Sequence, residues 1–277
     1  MITMRPFAQV DVFSRHPYSG NPVAVILDAQ GLSEDRMRAI ARWTNLSETT
    51  FVLPPTTPEA DYRLRIFTPT QELPFAGHPT LGSARAWAQL RGVDKPRLVQ
   101  ECAGGLIPVR REGEVFSFAA PPTLRSGPLE PEYVERIARA FRLDPAEIVE
   151  HQWVDNGPGW AVVRLESAQA VLDLEPDFSV IPEAKVGAIG PYPAGAEHAF
   201  EIRAFAPGVG VPEDPVCGSL NASTAQWLLR EGLAPQRYTV SQGARVHRRG
   251  EISIRQEGSR VWVGGATSIG FQGTAHI

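Results

Sequence analysis

Cysteine is scarce in this sequence: its 277 residues include only two, Cys102 and Cys217. Two cysteines do not make the disulfide framework on which small secreted domains depend. No run of apolar residues reaches the roughly 20 that a membrane-spanning helix needs. Residues 1–12 also lack the apolar core of a signal peptide. We therefore expect a cytoplasmic protein with no membrane partner.

Runs of basic residues are missing too. The formal net charge is −4, and Arg110-Arg111 and Arg248-Arg249 are isolated pairs, so we do not expect nucleic acid as a partner. A hydrophobic content of 43% and a charged content of 21% are typical of globular proteins. The length suits two domains of ordinary size.

Signatures of the common cofactor and metal enzymes are absent as well. No Gly-x-Gly-x-x-Gly follows a strand, and there is neither a phosphate-binding loop nor a Gly-x-Ser-x-Gly turn. None of the six histidines pairs with another His or with a Cys at the spacing of metal ligands. The sequence therefore predicts an enzyme with no cofactor and no metal, which works through side-chain acids and helix N-termini.

One motif is present twice, in residues 65–92 and 203–232. Each copy has a strand with Arg, Phe and Pro, then a polar turn, then a helix with Ser, Trp and a terminal Gly. The strands are offset by 138 residues, as in Phe67 and Phe205, and the helices by 140, as in Trp87 and Trp227. Two unrelated strand–helix units are the alternative, since such units are common.

The repeat indicates two anion-binding turns. A helix start presents unpaired N–H groups and a partial positive charge. A duplicated fold can place two such starts face to face across one cleft. We therefore expect a small carboxylate substrate held between two halves.

Short strand-like and helix-like stretches alternate along the chain, which predicts an α/β or α+β protein of two similar halves, rich in strands and with few helices. The proline-rich segment Ala119–Pro128 is the predicted linker. The last segment is expected to cross back and complete the first half. The predicted halves are thus residues 1–119 with 265–277, and residues 120–264.

Glu48 and His78 are the candidate catalytic residues of the first half. Glu48 is expected between a helix end and a strand, near hydroxyl groups and near apolar Leu46 and Phe51, which suits proton transfer. A solvated loop glutamate is the alternative. His78 lies between Gly77 and Pro79 at a helix start, and the alternative is a buried histidine that hydrogen-bonds the local backbone.

Asp214, Cys217 and Ser219 are the candidates of the second half. Asp214 precedes Pro215, and this pair also fits a helix cap with proline in the first turn. Cys217 lies where N–H groups and the helix dipole favour a thiolate, or it is a small buried apolar side chain. Ser219 is expected to donate to a substrate carboxylate, to cap its helix, or both.

Three motifs in this order resemble the PhzF-like family of phenazine biosynthesis proteins. The motifs are 45–51 (Asn-Leu-Ser-Glu-Thr-Thr-Phe), 74–82 (Pro-Phe-Ala-Gly-His-Pro-Thr-Leu-Gly) and 213–219 (Glu-Asp-Pro-Val-Cys-Gly-Ser). Asp11-Val-Phe13 with Gly20-Asn21-Pro22 fits too, and the resemblance runs over essentially the whole length. It implies a fold like that of diaminopimelate epimerase, with two pseudo-symmetric halves. Each half would be a strongly curved, mostly antiparallel sheet or barrel around a central helix.

The resemblance also implies an activity and roles for residues. Family members studied as enzymes isomerise a dihydro-hydroxyanthranilate without a cofactor, by a proton that a glutamate moves between carbons, and they are typically homodimers. By position, Glu48 would be the acid/base. The substrate-binding set would be His78, Asp214 and Ser219, with backbone N–H groups from Gly77 and Gly218.

Two other functions stay open. Related epimerases carry one cysteine on each half, whereas here only the second turn does, at Cys217, and the first has Gly77-His78. An amino-acid epimerase or racemase with Glu48 and Cys217 as opposed bases is the first alternative. The second is a non-catalytic binder of small acids.

Overall fold

The computed structural model describes residues 3–277, so Met1 and Ile2, with which the first predicted half begins, lie outside the described part. The chain divides into two compact units. One comprises Met1–Ala119 with Gly264–Ile277, and the other comprises Ala120–Val263. Whether either unit folds as a domain by itself stays a prediction.

The first unit consists of strands and two helices. The helices are α1 Glu34–Thr44 and α2 Gly77–Arg91. The strands are β1 Met4–Val12, β2 Asn21–Ile26, β3 Glu48–Leu53, β4 Tyr62–Phe67, β5 Glu72–Leu73, β6 Arg97–Cys102, β7 Gly105–Glu112 and β8 Val115–Ala119. A last strand, β17 Arg260–His276, contributes its residues from Gly264 onward.

Eight of these strands close into a barrel. The order is β1-β2-β3-β4-β6-β7-β8-β17, and β17 pairs again with β1. The pairs β2–β3 and β4–β6 are parallel, and β1–β2, β3–β4, β6–β7, β7–β8 and β1–β17 are antiparallel. Closure removes free sheet edges, whose unpaired N–H and C=O groups would otherwise invite association.

Helix α2 is the central helix of this barrel. It contacts β1, β2, β3, β4, β6 and β8, and its residues from Gly77 to Ala84 are all buried. Close approach to the barrel wall depends on Gly82, where an added Cβ would lie 2.3 Å from Cγ1 of Val23. The helix ends at Gly92, which takes the left-handed conformation with φ of 64°.

The second unit begins with an additional strand and helix and then repeats this order of elements from its second strand onward. Its helices are α3 Pro131–Phe141, α4 Ala168–Leu172 and α5 Gly218–Arg230. Its strands are β9 Arg125–Gly127, β10 Glu150–Asp155, β11 Ala161–Arg164, β12 Val186–Pro191, β13 Phe200–Ala206, β14 Val211–Asp214, β15 Arg237–Gln242, β16 Gly250–Glu257 and the start of β17.

Three strand pairings of the second unit match those of the first. The pair β11–β12 is parallel like β2–β3, and β13–β15 is parallel like β4–β6. The short strand β14 returns against β13 as β5 does against β4. Helix α5 takes the place of α2, and its Leu220 fills the space above Gly187, where an added Cβ would lie 2.6 Å from Cδ2. The predicted α+β class with two pseudo-symmetric halves is confirmed.

Several local expectations differ from the structure. The predicted linker Ala119–Pro128 contains β9, which pairs with β10, so this segment is part of the second sheet. The motif helices, which the sequence predicts over residues 79–92 and 222–231, begin earlier, at Gly77 and Gly218. Within residues 3–277, we find no helix that combines the length and the apolar character required to cross a bilayer.

Candidate active site

Glu48 is the first residue of β3, so it lies on a strand and not in the expected loop. Side chains alternate along a strand, which places Glu48 and Thr50 on one face and Thr49 and Phe51 on the other. The first face looks toward α2, because the Thr50 hydroxyl hydrogen-bonds that of Ser83 at 2.8 Å. The expected apolar contact with Phe51 is therefore wrong: Phe51 packs in the cluster on the α1 side.

The Glu48 carboxylate meets His78, the second residue of α2. Oε2 of Glu48 lies 3.3 Å from Nε2 of His78, and the two side chains are only 14% and 5% exposed. Burial lowers the pKa of His78 from its ordinary 6.5 to about 3, although a hydrogen bond to the backbone of Pro22 opposes this shift. Burial therefore favours the uncharged imidazole at neutral pH. The solvated-loop alternative for Glu48 is excluded by this burial.

The His78 ring is held by the start of β2. Pro22 has no N–H, so its carbonyl must accept and the ring must donate. Because a neutral imidazole has a single N–H, the other ring nitrogen keeps a lone pair. Nε2 has no hydrogen-bond donor or acceptor of ordinary geometry within residues 3–277, so we assign the donated proton to Nδ1. Nε2 thus presents its lone pair to Glu48.

Asp11 fixes the turn that leads to Pro22. Its carboxylate, on a side chain that is nearly buried, accepts from Ser19 N at 2.9 Å and from Gly20 N at 3.0 Å. Gly20 is required there, because an added Cβ would lie 2.1 Å from the Val12 carbonyl oxygen. Asp11 belongs to the motifs that resemble the family, but the sequence alone predicted no role for it.

Asp214, in the second unit, is the last residue of β14. Its Oδ1 accepts from Val216 N at 3.1 Å. Burial raises the pKa of Asp214 from 3.8 to about 6, and the charge of Glu213 adds to the rise. The Val216 N–H and the Cys217 thiol both donate to the carboxylate and oppose the rise. Helix α5 begins only at Gly218, so the expected helix-capping alternative for Asp214 is wrong; it caps the turn before the helix.

Gln242 holds this turn together from β15, and sequence reasoning missed it. Its Oε1 accepts from Cys217 N at 3.0 Å and from Nδ2 of Asn221 at 2.9 Å, and its Nε2 donates to the Asp214 carbonyl at 3.0 Å. The Gln242 side chain is almost fully buried. Tyr238 and Val240 are apolar residues on alternate positions of β15, and Gln242 is the polar residue that ends this series. That change from apolar to polar is the sequence signal that could have indicated Gln242.

Ser219 is the second residue of α5 and does not cap the helix. Its Oγ accepts from Nε1 of Trp160 at 2.9 Å and lies 3.5 Å from Sγ of Cys217. Cys217 is the residue before the helix and is 4% exposed. Neither Ala76 nor Cys217 caps its helix through a side chain, so the first N–H groups, including those of Gly77 and Gly218, lack that partner.

One group outside these turns has the composition of a metal site. The ligand atoms of Glu197, His198 and Glu251 lie within 4.8 Å of one another, at the partly exposed end of the β13–β15–β16 sheet. Sequence spacing did not find it, because the expectation of no metal considered only His and Cys pairs.

The segments around Glu48, His78 and Asp214 carry the motifs of a known family. The family model described as phenazine biosynthesis-like protein, PhzC-PhzF, matches residues 10–275. The chain belongs to this family.

Relatives and solved structures of the family cover the chain almost completely. The "Antisense-enhancing sequence 1" protein of Schizosaccharomyces pombe is 37% identical over all of this chain and all of its own. The "Trans-2,3-dihydro-3-hydroxyanthranilate isomerase" of Pseudomonas aeruginosa is 36% identical over 99% of this chain and 100% of its own. A PhzF-family crystal structure from Enterococcus faecalis has a TM-score of 0.83 at 27% identity, and it covers 99% of this chain and 100% of its own. The predicted enzyme class, an isomerase, is confirmed by such relatives.

Proposed function

We propose that this protein is a cofactor-independent isomerase that moves a proton between carbons of a small carboxylate substrate of the dihydro-hydroxyanthranilate type. Glu48 is the acid/base. The observation that carries the proposal is the contact between the Glu48 carboxylate and the uncharged ring of His78, at 3.3 Å. The name of the Pseudomonas aeruginosa relative supports the substrate class.

The lone pair on Nε2 of His78 explains how Glu48 carries a proton. A carboxylate gains nothing from facing a lone pair, whereas a protonated carboxyl group can donate a hydrogen bond to it. The contact therefore stabilises Glu48 in the form that it reaches after it has taken a proton from carbon. His78 keeps the same tautomer meanwhile, because its own N–H is used on the Pro22 carbonyl.

The reaction is balanced without another reactant. The Glu48 carboxylate takes a proton from a carbon near the substrate carboxylate, and the electron pair of that C–H bond moves into the conjugated system. The protonated Glu48 then gives the same proton to a different carbon. Backbone N–H groups at the start of α2, from Gly77 and His78, stabilise the negative charge that develops.

The substrate-binding set proposed for the second unit comprises Asp214, Cys217, Gly218 and Ser219. Ser219 is partly exposed and can donate its hydroxyl proton to a carboxylate. The Cys217 thiol donates to Asp214, so we assign Cys217 a binding and not a proton-transfer role. Asp214, whose pKa is raised to about 6, suits a hydrogen bond to a hydroxyl or amino group of the ligand.

The test is turnover of trans-2,3-dihydro-3-hydroxyanthranilate in deuterated water, followed by NMR. We expect migration of hydrogen to a different carbon, and activity that survives dialysis against EDTA. Glu48→Gln should lower kcat by about 10²–10⁴-fold, the usual contribution of a positioned acid/base. Glu59→Gln, at an exposed position, is the matched control and should leave kcat unchanged.

Three outcomes would contradict the proposal. Unchanged turnover in Glu48→Gln removes Glu48 from the chemistry. One solvent deuteron fixed at an inverted α-carbon, together with collapse of activity in folded Cys217→Ser, favours an epimerase with two bases. Binding of small carboxylates with no turnover across a broad panel of such acids favours a non-catalytic binder.

A further inference from the structure

The Ser219 hydroxyl is oriented by an indole. An indole N–H can only donate, so Trp160 occupies one lone pair of Ser219 Oγ at 2.9 Å. The hydroxyl proton must then point elsewhere. Its other near neighbour is Sγ of Cys217 at 3.5 Å, and a thiol sulfur is a weak acceptor. The hydroxyl would therefore donate its hydrogen bond to a stronger acceptor on a bound ligand in preference to the sulfur.

The loop that carries Trp160 is fixed at several points. One carboxylate oxygen of Asp155 accepts from Gly157 N at 2.7 Å and from Gly159 N at 2.6 Å. Both glycines have positive φ, of 134° and 89°, which other residues rarely adopt. Nζ of Lys185, the residue just before β12, donates to the Pro158 carbonyl at 2.8 Å. The loop therefore holds the buried Trp160 ring in one place.

The same loop also contacts the backbone of Ser219. Nδ2 of Asn156 donates to the Ser219 carbonyl at 3.0 Å. Ser219 is thus held by its side chain and by its carbonyl, while its hydroxyl proton alone is free to turn. A donated hydrogen bond also polarises the hydroxyl and makes it a better donor.

We propose that Trp160 is a positioning residue that makes Ser219 a hydrogen-bond donor toward the ligand, and thereby sets a preference for a carboxylate over the corresponding amide. The inference rests on the proposed function, in which Ser219 binds the substrate. A carboxylate only accepts, so it matches a hydroxyl whose proton is presented. An amide N–H, which needs an acceptor, finds one lone pair of Ser219 already occupied.

The experiment compares two probes, 3-hydroxyanthranilate and its primary amide, by calorimetry on the full chain. The wild type should prefer the carboxylate. Trp160→Phe keeps an aromatic ring and loses the N–H, so the preference should fall by about threefold to tenfold, the range of one neutral hydrogen bond. In turnover the KM should rise while kcat is unchanged. Trp262→Phe, another buried tryptophan of the same unit, is the control for lost ring volume and should keep the preference.

Ser219→Ala distinguishes a failure of this inference from a failure of the proposed function. If it weakens 3-hydroxyanthranilate binding while Trp160→Phe keeps the preference, the inference is wrong and the proposed function stands. If Ser219→Ala leaves binding unchanged, or if the wild type binds neither probe, the binding role of Ser219 fails and the inference fails with it. Should Trp160→Phe not fold, Lys185→Met loosens the loop with the indole intact. A reduced preference then supports the inference, and an unchanged preference overturns it.

Discussion

Lys185, the residue just before β12, corresponds in the second unit to Glu48, the first residue of β3. In each unit the next residue along the strand pairs with the phenylalanine of the repeated motif, Phe67 or Phe205. The duplicated scaffold therefore offers two equivalent positions, and only one of them holds a carboxylate, the one proposed as the acid/base. The other holds an ammonium group that donates to the backbone of its own loop.

This asymmetry predicts opposite phenotypes for two equivalent substitutions. Glu48→Gln should abolish most of kcat with little change in stability. Lys185→Met should lower the free energy of unfolding by about 1.5–3 kcal/mol, because it removes a hydrogen bond from a charged donor, while kcat stays close to wild type. Urea denaturation and steady-state kinetics on both variants check this. An equal loss of kcat in Glu48→Gln and Lys185→Met would mean that Lys185 takes part in the chemistry.

Asp214 makes stability depend on pH. Its pKa is raised from 3.8 to about 6 on folding, so the folded state favours the protonated carboxyl group. The stabilisation is complete below pH 3.8 and is lost as the pH rises through about 6. Asp214→Asn stays neutral, so its stability relative to wild type should increase between pH 4 and pH 8 by on the order of 3 kcal/mol.

The measurement is urea denaturation at several pH values. Asp35→Asn, at an exposed position of α1, is the control and should follow the wild-type curve. A difference between Asp214→Asn and wild type that is the same at pH 4 and pH 8 would show that the carboxyl group does not titrate in this range.

The buried ion pair between Arg203 and Glu213 holds β14, the strand that ends at Asp214. Two parallel hydrogen bonds of 2.9 and 2.8 Å join them, and their side chains are 4% and 12% exposed. Removal of one partner leaves a buried charge, so Arg203→Met should cost about 3–5 kcal/mol. Combination with Glu213→Leu should restore part of that loss in urea denaturation.

The first unit provides the matched control. Arg65 is the equivalent residue, and its pair with Glu72 is about a quarter exposed on each side. Because water screens this pair, Arg65→Met should cost only about 1 kcal/mol. Equal losses in Arg65→Met and Arg203→Met would refute the burial argument.

Gly82 sets the distance between the central helix and the barrel wall. In Gly82→Ala the new methyl group would overlap Cγ1 of Val23, at 2.3 Å, and should cost about 1–3 kcal/mol despite the higher helix propensity of alanine. Val23→Ala opens space at that point, so the double variant should be more stable than the sum of the two single losses predicts. If the stability losses of the two single variants simply add in thermal melts of the double variant, the new methyl group does not contact Val23.

Local signals in the sequence predicted a large part of the fold. A serine before Glu34 and Asp35 is an ordinary N-cap signal, and Ser33 accepts from Arg36 N at the start of α1. The repeated Phe, Trp and Gly fall on equivalent elements of the two units. Strand β12 was missed, because five of its six residues are buried and a strand covered on both faces shows no alternation.

The candidate site was predicted only as a set of motif residues. Their chemistry depends on partners far away in sequence. Trp160 lies 59 residues from Ser219, and Gln242 lies 25 residues from Cys217. No spacing rule connects such residues, since the connection is made by strand pairing. The expected roles of the site residues, and the homodimer, stay predictions.

Strand β17 passes without interruption from one unit into the other. The barrel of the first unit therefore cannot close until β17 has been synthesised. During synthesis, residues up to Ala119 emerge before Ala120–Val263, and the strand that closes their barrel emerges after both. Removal of residues 264–277 would therefore leave the first unit, which is synthesised first, without the strand that closes its barrel.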